Sequence, residues 1–139
     1  MAKKWTLAEA LASYGGAAGK NPRWSWSART PDGKAVVMTF WQDRFDYKTK
    51  PPTYRAKSGA GANAWLDKPG NRERLENLIW AVDNCGGRVH VVITVAENVN
   101  VQPRKIADCF PQPRMQMQVK ELDRQTGEFF AELVDETTG

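Results

Sequence analysis

The sequence predicts a single α+β domain: a curved sheet of about five strands, mixed or mainly antiparallel, with two helices. The length of 139 residues is close to the commonest size of one domain. Polar and apolar residues alternate over 23–29, and a Pro-Asp-Gly turn then leads into apolar residues 35–41, the pattern of a β-hairpin. Residues 89–95 are nearly all β-branched, which indicates a central strand.

Two segments carry helix signals. Thr6 and Glu9 have the spacing of a capping box, and Gly15-Gly16 supplies a stop, so we expect a short helix over 6–14. Asn71 can cap a second helix before the glycines at 86–87. Its apolar residues at helical spacing predict one buried stripe: Leu75, Leu78, Ile79 and Val82.

The rest of the chain is connections and one further hairpin. Residues 42–70 lack a clear period and predict a long loop or a lobe of short pieces, and 97–114, with three prolines, predict a second long connection. Residues 115–122 and 127–134 flank a plausible turn and predict a closing hairpin. Two hairpins around one central strand favour a strongly curved sheet or a small open barrel.

The expected organisation is one domain over 1–139. We divide it into an N-terminal helix and linker (1–19), a core (20–134) and a tail (135–139).

The composition excludes several classes of protein. Hydrophobic residues make up 41% and charged residues 26%, close to globular averages and unlike a disordered chain. No apolar stretch approaches the roughly 20 residues of a membrane span, and no secretory signal follows Met1. Two isolated cysteines and one histidine suggest neither a metal site nor a cofactor. We therefore expect a cytoplasmic protein without a membrane partner.

Charge is distributed unevenly along the chain. Residues 20–74 hold twelve Lys or Arg and five acidic residues, a net charge of +7, whereas 115–139 hold two basic and six acidic residues, a net charge of −4. A basic first half indicates an acidic partner, with nucleic acid the leading candidate. A solvated surface balanced by the acidic tail is the plainer alternative.

Aromatic and basic residues interleave in this basic half, a combination that suits bases and phosphates. The alternation favours a core role for Trp24, Trp26 and Phe40. For stacking, or for a pocket around a flipped base, the candidates are Trp41, Tyr47, Tyr54 and Trp65. For phosphate contacts the candidates are Arg44, Lys48, Lys50, Arg55, Lys57 and Arg104.

One catalytic pattern competes with this interpretation. Pro31-Asp32 followed by Asp46-Tyr47-Lys48 matches the loose pattern of PD-(D/E)xK nucleases, in which carboxylates hold metal ions and a lysine orients water. The Pro-Asp-Gly segment is explained better as a hairpin turn, so Asp32, Asp46 and Lys48 form an alternative catalytic set rather than the favoured one.

Four short strings carry a resemblance to known proteins: Trp24-Ser25-Trp26-Ser27-Ala28, Trp41-Gln42-Asp43, Gly70-Asn71-Arg72-Glu73-Arg74-Leu75 and Pro103-Arg104-Lys105-Ile106. Over about residues 20–134 the chain resembles short uncharacterised bacterial proteins and the N-terminal domain of some HNH-type endonucleases. That resemblance implies a nucleic-acid-recognition module, with modified DNA as one target. A chain with one histidine cannot build the HNH metal site itself.

The sequence thus predicts a nucleic-acid-binding domain without catalytic activity of its own, acting alone or beside a protein partner such as a nuclease. A metal-dependent nuclease is the first alternative. The second is a protein-interaction or inhibitory accessory factor whose Trp-rich face docks an acidic partner.

Overall fold

A computed structural model describes residues 5–19, 25–56, 69–100 and 105–135. Its elements are helices α1 (Leu7–Ala12) and α2 (Pro69–Asn84), a short 3₁₀ helix, η1 (Gln42–Arg44), and seven strands. The strands are β1 (Ser27–Arg29), β2 (Val36–Trp41), β3 (Phe45–Asp46), β4 (Thr53–Ala56), β5 (Arg88–Ala96), β6 (Ile106–Leu122) and β7 (Phe129–Asp135). Neither helix among these residues is long and apolar enough to cross a membrane.

The strands form one mixed, open sheet in the order β1-β2-β5-β6-β7-β4-β3. The α+β class and the two helices are confirmed. The prediction of five strands is wrong, because the irregular segment after residue 41 contributes β3 and β4. The prediction of a mainly antiparallel sheet is also wrong, because the two strands β2 and β5 pair in parallel. Val37 lies opposite His90, and Trp41 lies opposite Thr94.

The locally encoded elements form as expected. Both halves of the capping box are present, since the Thr6 N–H donates to the Glu9 carboxylate at 2.9 Å and the Glu9 N–H donates to the Thr6 hydroxyl at 3.1 Å. The first hairpin pairs β1 with β2, with Ala28 opposite Val37. The closing hairpin pairs β6 with β7, with Met117 opposite Leu133.

The sheet buries side chains on both faces. Val36, Met38 and Phe40 of β2 point into a core shared with α2 and the far strands of the sheet. Val37 points to the other face, where α1 covers it together with Val92 of β5. Alternation along β2 therefore places successive residues in two separate clusters.

Helix α2 buries a polar face rather than the predicted apolar stripe. Leu78 is fully buried, but Leu75 and Ile79 are half-buried and Val82 is exposed. The helix also begins at Pro69, so Asn71 lies inside it and is not its cap. The prediction failed because hydrogen bonds across the interface let polar residues occupy buried positions.

Those buried polar residues tie α2 to its neighbours. The Asn71 amide donates to the Thr126 carbonyl at 3.1 Å, and the Asn77 amide donates to the Ser27 hydroxyl at 2.8 Å. The Arg74 guanidinium donates to the Asn71 side-chain oxygen at 3.2 Å and lies 5.1 Å from the centre of the Trp26 ring. Burial lowers the pKa of Arg74 to about 10.

The predicted connection over 97–114 is partly wrong, because β6 begins at Ile106 and continues through two prolines. In the described residues the first half of β6 pairs with β5 alone, because the pairing with β7 begins only at Met115. Pro111 therefore has a free edge of the strand on its other side, where its missing N–H breaks no hydrogen bond to a neighbouring strand. The β5–β6 register shifts between His90 and Val92.

A tyrosine from outside the sheet fills that irregularity. The Tyr14 hydroxyl donates to the Val91 carbonyl at 2.6 Å and accepts from the Gln112 N–H at 3.0 Å. Its ring stacks on His90, with the centroids 5.1 Å apart. The hydroxyl thus joins β5 to β6 where the strands themselves are out of register.

Removing this hydroxyl should weaken the fold. We expect Tyr14→Phe to lower the free energy of unfolding by about 1–3 kcal/mol, because a strand N–H and a carbonyl lose their partner. Urea unfolding measures the change. Tyr47→Phe is the matched control, since the Tyr47 ring is exposed, and should change stability by less than about 0.5 kcal/mol. Equal effects of the two variants would contradict the role assigned to Tyr14.

Candidate nucleic-acid interface

The connections that follow β2 and β5 leave the sheet at the same end. This follows from the parallel pairing of the two strands, with Trp41 opposite Thr94. Helix η1, which directly follows β2, packs against β5. The basic, irregular segment after residue 41 is therefore held against the sheet, and Lys105 lies exposed in the connection after β5.

The turn between β3 and β4 is fixed by its own hydrogen bonds. The Asp46 carboxylate accepts from the Lys48 N–H at 2.9 Å, and the Thr49 hydroxyl donates to the Asp46 carbonyl at 3.0 Å. The Thr49 hydroxyl also lies 3.2 Å from that of Thr53, the first residue of β4. These bonds give the turn a defined shape.

Tyr47 presents an aromatic ring at this turn. The residue is 62% exposed, and one face of its ring stacks on Phe45, with the centroids 5.8 Å apart and the planes at 29°. Phe45 is itself buried and packs edge-on against Tyr54 at 5.0 Å. The exposed ring therefore rests on the core instead of projecting freely from the turn.

Three cations lie within three residues of Tyr47 in the sequence. Arg44, Lys48 and Lys50 are exposed, and none of them forms an ion pair with an acidic residue of the described chain. We call Arg44, Tyr47, Lys48 and Lys50 the β3–β4 patch. Four of the predicted site residues thus come together on one short segment.

Arg55 has a different environment from the β3–β4 patch. Its guanidinium lies 3.5 Å from the Glu121 carboxylate and 4.4 Å from the centre of the Phe130 ring. Both neighbours line, with Arg55, a cleft of about 400 Å³ whose other walls include Asp123 and Glu128. A cation already paired in an acidic cleft is a poor phosphate contact.

Tyr54, one of the rings predicted to stack on a base, is buried rather than exposed. It is only 4% exposed, lies edge-on to Phe40 at 4.8 Å, and its hydroxyl accepts from the Trp41 N–H at 3.1 Å. Burial raises the pKa of its hydroxyl above the ordinary value. Tyr54 lies on β4, and the alternation over 53–56 was too short to predict this four-residue strand.

The other predicted residues fall into two groups. Trp41 ends β2 and is half-buried. Lys57, Trp65 and Arg104 lie outside the described residues.

One residue that supports the patch was missing from the predicted set: Phe45, which lies under the Tyr47 ring. The spacing of Phe45 and Tyr47 could have indicated this role, because residues two apart in an extended chain share a face. Lys105, an exposed cation in the connection after β5, lies at the same end of the sheet.

The alternative catalytic residues are not brought together. Asp32 lies in the turn before β2, and Asp46 follows the far end of β2, a six-residue strand that spans roughly 20 Å. In the described ranges, no three His, Cys, Asp or Glu side chains are grouped so that they could hold a metal ion. The nuclease interpretation therefore lacks its carboxylate pair.

Asp32 instead stabilises the β1–β2 turn through hydrogen bonds. Its carboxylate accepts from the Thr30 hydroxyl at 2.6 Å and from the Lys34 N–H at 2.9 Å. These hydrogen bonds hold the pKa of Asp32 below its ordinary value. The adjacent Gly33 has a φ of 72°, which the turn requires and which side chains rarely adopt.

The lowered pKa of Asp32 predicts the pH dependence of its contribution. Because the folded state favours the ionised carboxylate, the stabilisation is fully present above the unfolded value of about 4 and is lost as the pH falls through the lower folded value. Asp32→Asn keeps a side-chain oxygen but no charge. Urea unfolding measured from pH 7 downward should give the wild type a larger free energy of unfolding than Asp32→Asn at pH 7, and the difference should vanish in acid. A difference that stays constant with pH would contradict the role assigned to the Asp32 carboxylate.

Comparisons of the chain with protein-family models, with curated proteins and with solved structures found no match.

Proposed function

We propose that the protein is a nucleic-acid-binding domain without catalytic activity of its own, and that the β3–β4 patch is its contact surface. The observation that supports this most is the combination on one short segment: three exposed cations that form no ion pair with an acidic residue of the described ranges, and an exposed ring that rests on the core. Cations neutralise phosphates and release condensed counterions, and an open aromatic face takes a base.

The fixed shape of the turn also supports binding. Asp46 and Thr49 hold the backbone between the cations, so little freedom of that backbone remains to be lost when a ligand binds. Lys105 extends the positive surface at the same end of the sheet. Arg55 is left out of the proposed surface because Glu121 neutralises it.

The wider role remains part of the proposal. The short strings that resemble the N-terminal domain of some HNH-type endonucleases lead us to propose a recognition module that acts alone or beside a nuclease, with modified DNA as one target. A cytoplasmic location is proposed from the composition. The separation of Asp32 from Asp46 leaves cleavage by this chain without support.

Reversing the charge of the patch tests the proposal. We expect the double variant Lys48→Glu/Lys50→Glu to bind oligonucleotides more weakly regardless of their sequence, because two phosphate contacts are lost. The slope of log affinity against log salt should become shallower by about 1.4 on single strands and about 1.8 on duplex DNA, since each phosphate contact contributes about 0.7 and 0.9 respectively. Fluorescence anisotropy with labelled oligonucleotides over a salt series measures both quantities.

The control is Lys34→Glu/Arg88→Glu, which makes the same change in net charge elsewhere. Lys34 and Arg88 are exposed at the amino ends of β2 and β5, whereas the patch follows the carboxyl end of β2. The control should keep the wild-type salt slope. Equal losses in the two double variants would show that only net charge matters and would contradict the assignment of the surface.

A further inference from the structure

We propose that the β3–β4 patch selects single-stranded nucleic acid and stacks one unpaired base on the open face of Tyr47. The inference rests on the proposed function and adds the class of ligand to it. It follows from what covers the two faces of the Tyr47 ring and from the number of cations in the patch.

The Tyr47 ring has one face for a ligand. Phe45 covers the other face at a centroid distance of 5.8 Å. A base inside a duplex is already stacked on both sides by its neighbours, so it offers no free face to a protein ring. An unpaired base does, and stacking on an aromatic side chain accepts any base because each has a π face.

The structure argues against a closed pocket for a flipped base built from these rings. Such a pocket encloses the base between side chains. Here Phe45 already occupies one side of Tyr47, and Tyr54 is buried edge-on against Phe40 with its hydroxyl bound to the Trp41 N–H. Phe45 thus packs on both Tyr47 and Tyr54, and these three rings leave no gap between them for a base. Tyr47 is thus a platform rather than the wall of a pocket.

The charge of the patch fits a short single strand. Arg44, Lys48 and Lys50 can contact about three phosphates, and single strands give a salt slope of about −0.7 per contact, hence about −2 in total. With so few cations, the stacked base carries a large share of the affinity.

The experiment compares the wild type with Tyr47→Phe and Tyr47→Leu. Fluorescence anisotropy is measured on labelled single-stranded DNA and RNA of about 12 nucleotides and on the corresponding DNA duplex. We expect tighter binding to the single strands than to the duplex. Tyr47→Phe should retain that binding, whereas Tyr47→Leu, which keeps apolar bulk but no ring, should weaken it about 5- to 150-fold. Urea unfolding checks that both variants fold like the wild type.

Each contrary result has a separate meaning. The stacking inference is wrong if the wild type binds the duplex as tightly as the single strands. It is also wrong if Tyr47→Leu leaves single-strand binding unchanged while Lys48→Glu/Lys50→Glu abolishes that binding. In both cases the proposed function stands. If the wild type binds none of the oligonucleotides, the proposed function fails and this inference fails with it.

Discussion

The packing of Phe40 is the contact on which the arrangement of this domain depends. Phe40 lies near the end of β2, one strand from an edge of the sheet, yet its ring packs against Phe45, Tyr54 and Phe129. Those three residues belong to β3, β4 and β7 at the other side of the sheet. The sheet must therefore curl until its two sides meet over a shared aromatic core, although its edges do not pair in the described chain.

The same contact positions the proposed binding surface. Phe45 is held in the core by Phe40 and Tyr54, and Tyr47, two residues later, stacks on it. The Tyr54 hydroxyl adds a hydrogen bond to the end of β2. A surface turn is thus connected to the centre of the fold by successive ring contacts, so the orientation of Tyr47 depends on core packing and not on the turn alone.

Local signals predicted much of the fold. The capping box at Thr6 and the β-branched strand over 89–95 depend on neighbours in sequence, and both form where expected. The first hairpin also forms, but in the described residues its first strand is Ser27–Arg29 and not the full alternating segment 23–29. The curl could not be predicted in detail, because β3 and β4 are two and four residues long and are stabilised by distant rings. The polar buried face of α2 was missed because residues such as Asn77 find their partners fifty positions away.

The charge of the proposed surface could be predicted from the sequence, but its geometry could not. The interleaving of basic and aromatic residues indicated Arg44, Lys48 and Lys50, whereas only the fold separates the exposed Tyr47 from the buried Tyr54. The most direct test is to titrate a short single-stranded oligonucleotide into the isotope-labelled protein and record amide chemical shifts by NMR. We expect the largest changes at residues 44–50 and none at Lys34 or Arg88. Changes centred on those two residues, with 44–50 unaffected, would contradict the proposed surface.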